Sequence, residues 1–180
     1  MMTPRMPINK IGEENWIEKL TDFLAEYDVD VENLNFTSKY QLPFDMELYY
    51  KNFGGIESSD YMYNLYTPDK FIEIENSDWE FINEYFSGIE KNRFIVFGES
   101  PANDPLCLDL KTEEIYLFSH DPIKQEKVFE NFTQYLKYEI IETQKLLGDI
   151  ESDKSEELEY HQEFLGGSNI DYKFRLMKFC

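Results

Sequence analysis

Apolar residues recur at helical spacing near the start of the chain. Trp16, Leu20, Phe23, Leu24 and Tyr27 fall on one face of a helix over Glu13 to Tyr27. After a link carrying Val29, Val31, Leu34 and Phe36, Leu42-Pro43 opens a second helix with Phe44, Leu48, Tyr49 and Phe53 turned inward, and Gly54-Gly55 closes it. Proline is at home in the first helical turn, where its missing N–H costs nothing, and glycine takes the left-handed conformation that releases the chain at the other end. Tyr61 to Tyr66 alternates as a strand does, with Tyr61, Tyr63 and Leu65 on one side and Met62, Asn64 and Tyr66 on the other. Thr67-Pro68-Asp69 reads as the start of a short helix over Asp69 to Ile74, although Phe71, Ile72 and Ile74 would also serve as a strand. Ser77 to Glu80 has capping-box spacing before a helix that buries Trp79, Ile82 and Phe86 and stops at Gly88.

The pattern then changes to short apolar runs. Phe94-Ile95-Val96-Phe97 is closed by Gly98, and a polar loop with Pro101, Asn103, Asp104 and Pro105 leads into Leu106-Cys107-Leu108-Asp109-Leu110. Ile115-Tyr116-Leu117-Phe118 follows and ends at His120-Asp121. Runs of this length bounded by Gly, Pro, Asn and Asp are strands joined by turns, so an antiparallel meander is expected. Val128 to Leu147 is the strongest helix, with Phe129, Phe132, Leu136, Ile140, Thr143 and Leu147 at spacings of three and four before Gly148. An acidic segment, Asp149 to Glu163, is expected to be helical from Ser155. Beyond Gly166-Gly167, Ile170, Tyr172, Phe174 and Leu176 alternate with Asp171, Lys173, Arg175 and Met177, which predicts a terminal strand. Such a strand needs a sheet edge, in its own domain or in a second copy, and this leaves a homodimer open. The expected fold is α+β: a single domain with an antiparallel or mixed sheet and helices packed against it. Residues 1–9 are expected to form a loose leader, 10–148 the main body, and 149–180 a helix and strand extension of the same domain.

Length and charge narrow the function. A chain of 180 residues with 17% aromatics can bury a sizeable core. Its net charge of −20 argues against a direct nucleic-acid binder or a ligand of anionic membranes, which need clustered Lys and Arg, and favours a basic protein partner. Cys107 and Cys180 form no disulfide framework and read as free thiols in a reducing compartment. Met1 to Ile11 lacks the apolar run of a secretory signal, and no run reaches the length of a membrane span, so the expected location is cytoplasmic.

The residues offer little catalytic chemistry. Asp104, Asp109, His120 and Asp121 come nearest to a metal or catalytic group, but their spacing matches no ligand motif, and Asp121-Pro122 reads as a turn. Cys107 between two leucines reads as core, Cys180 as an exposed thiol, and His161 as a surface residue without a partner. No nucleophile elbow or phosphate-binding loop is present. The expectation is therefore a protein without catalytic residues, metal or cofactor. Tyrosines between Tyr49 and Tyr66 supply the kind of surface that protein interfaces use. The candidate partner-contacting residues are Glu57, Asp60, Tyr61, Tyr63, Glu99, Asp104, His120 and Asp121.

One order of features spans Trp16 to Leu147. It runs Leu-Pro, helix, Gly-Gly, aromatic strand, apolar strand with Gly, polar loop, Asp-Pro-Leu-Cys-Leu-Asp, and a strand ending in His-Asp. This order resembles the SUKH superfamily. The loop Glu99 to Asn103 departs from the Gly-rich acidic turn common there, and the extension past Leu147 has no counterpart. The resemblance implies a SUKH-like fold. Bacterial members of the superfamily are immunity proteins that neutralise polymorphic toxins by binding them, and fungal relatives regulate cell-wall assembly and signalling. The expected function is that of an immunity protein binding a basic toxin domain stoichiometrically, with a nuclease among the candidates. The alternatives are a regulatory scaffold of the fungal kind and a metal-dependent enzyme.

Overall fold

The computed structural model describes residues 11–29, 31, 36–54 and 65–180. Its centre is a five-stranded antiparallel meander in the order β1-β2-β3-β4-β5: β1 (Ile72–Glu73), β2 (Phe94–Glu99), β3 (Pro105–Asp109), β4 (Ile115–His120) and β5 (Ile123–Phe129). The three strands expected from the apolar runs are β2, β3 and β4. Both faces of β2 and β3 are buried, which explains why these strands read as continuous apolar runs rather than as alternation.

Alternate residues of the sheet enter two cores. Ile95, Phe97, Leu106, Leu108 and Leu117 meet α1 (Trp16–Ala25), α2 (Phe44–Phe53) and α4 (Phe132–Leu146). Phe94, Val96, Cys107 and Phe118 meet Ile74 and the short α3 (Glu80–Tyr85) through Ile82. Helix α4 starts where Asn131 caps it, its side chain accepting from Gln134 N at 2.9 Å. Asp45 at the start of α2 accepts from the backbone N and the hydroxyl of Thr133, at 2.9 and 2.7 Å. One carboxylate therefore pins the two helices together at their first turns, where negative charge is favoured.

Several expectations are corrected. The residues expected to begin the long helix, Val128 and Phe129, instead end β5, a strand with no apolar alternation because Lys124, Gln125, Glu126 and Lys127 make up its middle. Charge suits an edge strand, whose open side would otherwise invite pairing with another chain. Helix α2 buries Met46, Tyr49, Tyr50 and Phe53, so Phe44 faces solvent and Leu48 is half-buried. Gly54 is right-handed with φ −68; its glycine is needed because a Cβ would sit 2.5 Å from the Tyr50 carbonyl oxygen. Gly55 lies outside the described residues. In place of a helix over Asp69 to Ile74, 3-10 turns at Pro68–Lys70 and Ile74–Asn76 flank the two residues of β1. Ser77 does not cap α3: its hydroxyl donates to Ile74 O at 2.7 Å and closes the preceding turn. Of the strand expected at Tyr61 to Tyr66, only Leu65 and Tyr66 are described; Leu65 bridges Gly98, and Tyr66 N donates to Phe97 O.

The largest correction is at the end of the chain. After α5 (Lys154–Glu159), capped by the reciprocal Asp153 and Glu156 pair, a π-helical turn spans Tyr160–Phe164. Residues Tyr172–Phe179 then form helix α6 rather than a strand. Asp171 caps α6, accepting from Phe174 N at 3.0 Å. Its buried residues are Phe174, Arg175, Lys178 and Phe179, a helical stripe in which two of the members are cations. Because this segment is a helix packed within its own chain, it needs no sheet edge from a second copy.

Candidate partner-binding surface

Two turns and one helix meet at one end of the sheet. The turn between β2 and β3 is closed by Ser100 N donating to Asp104 O at 2.8 Å, with Asn103 at φ 59. Asp104 follows it with 0% of its surface exposed. One of its oxygens accepts from the backbone N of His120 at 2.9 Å and lies 2.5 Å from His120 Nδ1. Lys178 Nζ, from α6, lies 2.8 Å from the other. Asp104 thus holds the end of β4 and the end of α6, and it is itself shut off from solvent. The His120 ring stands beside Phe81 of α3, with centroids 5.9 Å apart, and about half of its side chain is open to solvent. Its Nδ1 is committed to Asp104, which leaves Nε2 as the remaining polar atom. Asp121, the next residue, is exposed at the hairpin tip.

Glu99, at the end of β2, is half-buried and accepts a hydrogen bond from the Tyr66 hydroxyl. Burial, followed by that bond to a carboxylate, pushes the Tyr66 hydroxyl well above its usual range. Glu57, Asp60, Tyr61 and Tyr63 lie outside the described residues. Leu65, which follows that segment, joins the sheet beside Glu99 through Gly98.

Asp109 does not join this group. It lies at the opposite end of β3, roughly 16 Å of strand away, in a bidentate pair with Arg93 at 2.7 to 3.1 Å and with Lys111 N at 2.9 Å. Burial pushes its carboxyl up, but the Arg93 and Lys111 hydrogen bonds outweigh it and hold the group below the usual range. Among the described residues no three His, Cys, Asp or Glu side chains converge as metal ligands. Cys107 is fully buried, and burial pushes its thiol up.

A second polar cluster was invisible in the sequence. His161, expected at the surface, is 1% exposed. Arg175 Nε donates to His161 Nδ1 at 3.0 Å, Nη2 donates to His161 O at 2.7 Å, and Nη1 donates to Val128 O at 2.6 Å. Because Nδ1 accepts from Arg175, the neutral imidazole carries its proton on Nε2, which faces Cys180 Sγ at 3.1 Å. The ring therefore has no lone pair left to take the thiol proton, and the arrangement is structural rather than a nucleophile and base. Cys180 is exposed as a residue, yet burial of its sulfur pushes the thiol up to about 12. The three residues lie 14 and 19 positions apart, without a motif.

Burial, and then Arg175, pushes His161 from 6.5 down to about 3. Between those values the unfolded chain binds a proton that the folded chain refuses, so stability falls as pH drops from 6.5 towards 3. From pH 7.5 to pH 5 this amounts to about 2 kcal/mol. Urea titrations should find that loss in the wild type and not in His161→Gln, whose titrating group is gone. An equal pH response in both proteins would disprove it.

The family model of the SMI1 / KNR4 family (SUKH-1) matches residues 28–138. The chain belongs to this SUKH family. No curated protein and no solved structure matches it. The SUKH match includes α2, the five strands and the beginning of α4, and with them Glu99, Asp104, His120 and Asp121. It stops before α5 and α6, so Lys178, which neutralises the carboxylate behind His120, comes from outside the matched SUKH region. Among the described residues no helix is long and apolar enough to cross a membrane.

Proposed function

We propose that this SUKH protein is an immunity protein that neutralises a basic toxin domain by stoichiometric binding in the cytoplasm, without catalysis of its own. The observation that carries this reading is a net charge of −20 on a chain of this family. A surface of that sign accelerates encounter with a basic partner by about tenfold to a thousandfold at low salt. The rim of His120, Asp121 and Phe81 supplies aromatic and acidic contacts in one place, with His120 oriented from below by Asp104. Such a site recognises by shape and charge and needs no nucleophile.

Co-expression with the product of the adjacent gene tests the reading: growth should be rescued and the two proteins should co-purify. Rescue without a complex would refute stoichiometric binding. With the purified toxin, the association rate should fall by about tenfold or more between low and high salt, since exposed charges are screened beyond a Debye length of about 8 Å at physiological ionic strength. Asp121→Lys should slow association further while leaving the melting temperature unchanged. A salt-independent rate in stopped-flow measurements would remove electrostatic steering from the account.

A further inference from the structure

Helix α2 buries one apolar stripe in the core and leaves another partly open to solvent. Met46, Tyr49, Tyr50 and Phe53 are buried, whereas Phe44, at 80% exposure, is the most exposed large apolar side chain among the described residues. Leu48, one turn further on, is half-buried. Together with Trp16 and Ile17 of α1 these residues line a groove of about 550 Å³. Glu14 and Glu18 line it as well, and both are exposed. Glu18 is in the first turn of α1, and Glu14 comes just before its N-cap, Asn15.

Some carboxylates elsewhere on the surface are answered by cations from the same chain, Glu47 by Lys51 at 2.6 Å, Glu90 by Lys111 at 2.7 Å and Glu114 by Lys127 at 3.1 Å, although the net charge of −20 leaves many without one. Glu14 and Glu18 make no ion pair or side-chain hydrogen bond among the described residues. The groove thus joins a partly open apolar floor to a negative wall that no described residue neutralises. An apolar surface framed by polar groups is the signature of an interaction site, and the sign of the frame selects the partner.

We propose that this groove docks a short amphipathic basic segment of a partner protein, its apolar side chains seated over Phe44 and Leu48 and its Lys or Arg side chains against Glu14 and Glu18. It lies in the helical layer on the opposite face of the sheet from Phe81 and α3, so it is distinct from the rim around His120. It goes beyond the immunity reading and does not depend on it.

A peptide of about twelve residues, with Leu on one helical face and Lys on the other, is the probe, and its Glu counterpart is the control. Calorimetry on the full-length protein at physiological salt should show binding of the Lys peptide only. Phe44→Ser with Leu48→Ser should weaken it by about tenfold or more, and so should Glu14→Lys with Glu18→Lys. Glu159→Lys with Glu163→Lys makes the same charge change at other exposed positions and should alter affinity by less than about twofold. Circular dichroism establishes that each variant remains folded. Absence of binding would overturn the proposal, as would equal losses in the two charge-reversed variants or indifference to the Phe44 and Leu48 changes. A dimer in sedimentation that Phe44→Ser with Leu48→Ser dissolves would assign the groove to a second copy and overturn it too. Because the probe is a synthetic peptide, this result is separate from toxin rescue.

Discussion

Deleting Asp171 to Cys180 is expected to leave the chain unable to hold its native core. Phe179 packs edge-on against Phe129 and Tyr138, with centroids 5.4 and 5.2 Å away, and the Tyr138 hydroxyl donates to Phe179 O at 2.8 Å. Phe174 is also buried. Removing two buried phenylalanines costs about 6–10 kcal/mol at the usual 3–5 per ring, comparable to the whole stability of a domain, about 5–15 kcal/mol. The deletion also strips Arg175 from His161 and from the Val128 carbonyl. Loss of near-ultraviolet dichroism and of a cooperative melt would show it. For the full-length protein the midpoint should not depend on concentration, because α6 packs on its own chain. A truncated protein that melts cooperatively near the full-length midpoint would refute the account. The single substitution Phe179→Ala should cost about 3–5 kcal/mol and keeps the test open if the deletion does not express.

Asp104→Ala is expected to cost about 3–5 kcal/mol, the usual penalty for leaving one member of a buried pair behind. Lys178 is 6% exposed and would lose the carboxylate 2.8 Å from its ammonium, and His120 would lose the acceptor for both its backbone N–H and its ring. A shift in melting temperature on the order of 10 °C follows for a chain of this size. Replacing both members, Asp104→Asn with Lys178→Met, should recover most of the loss, because two buried charges exchanged for neutral groups of similar volume also shed their desolvation cost. Chemical denaturation of the four proteins of this cycle measures the coupling. Additive losses would mean that Asp104 and Lys178 do not act as a pair. In the double variant His120 keeps a neutral acceptor, so association with the proposed toxin partner would separate the role of Asp104 in stability from its role in orienting His120.

The rim was partly legible in the sequence. Asp104, His120 and Asp121 were picked out because polar residues at strand ends beside turn signals stand where neighbouring strands finish together, and the register of β3 with β4 brings Asp104 to His120. Asp109 shared the residue type but lies at the other end of the same strand, a distinction that only strand direction makes. Phe81 and Lys178 were missed. Phe81 stands next to the buried Ile82 of α3 with no polar signal of its own, and Lys178 lies in a segment with no spacing relation to the meander.

Local pattern alone determined α1, α2, the meander of β2 to β4 and the body of α4, because each combines its own periodicity with its own stop signals, and these act within a few residues. Tertiary packing decided β5, which carries charge where a pattern reader looks for apolar residues, and the face of α2, where Phe44 and Leu48 compete with Met46 and Tyr50 for the core. It also decided α6. A reading by hydrophobicity assigns Arg175 and Lys178 to water and finds alternation in what remains. Each of these cations is buried against acceptors far away in sequence, Arg175 at Val128 and Lys178 at Asp104, and their long apolar stems pack like hydrophobic side chains. A cation counts as interior only once its partner is in place, and that partner is brought there by the rest of the fold.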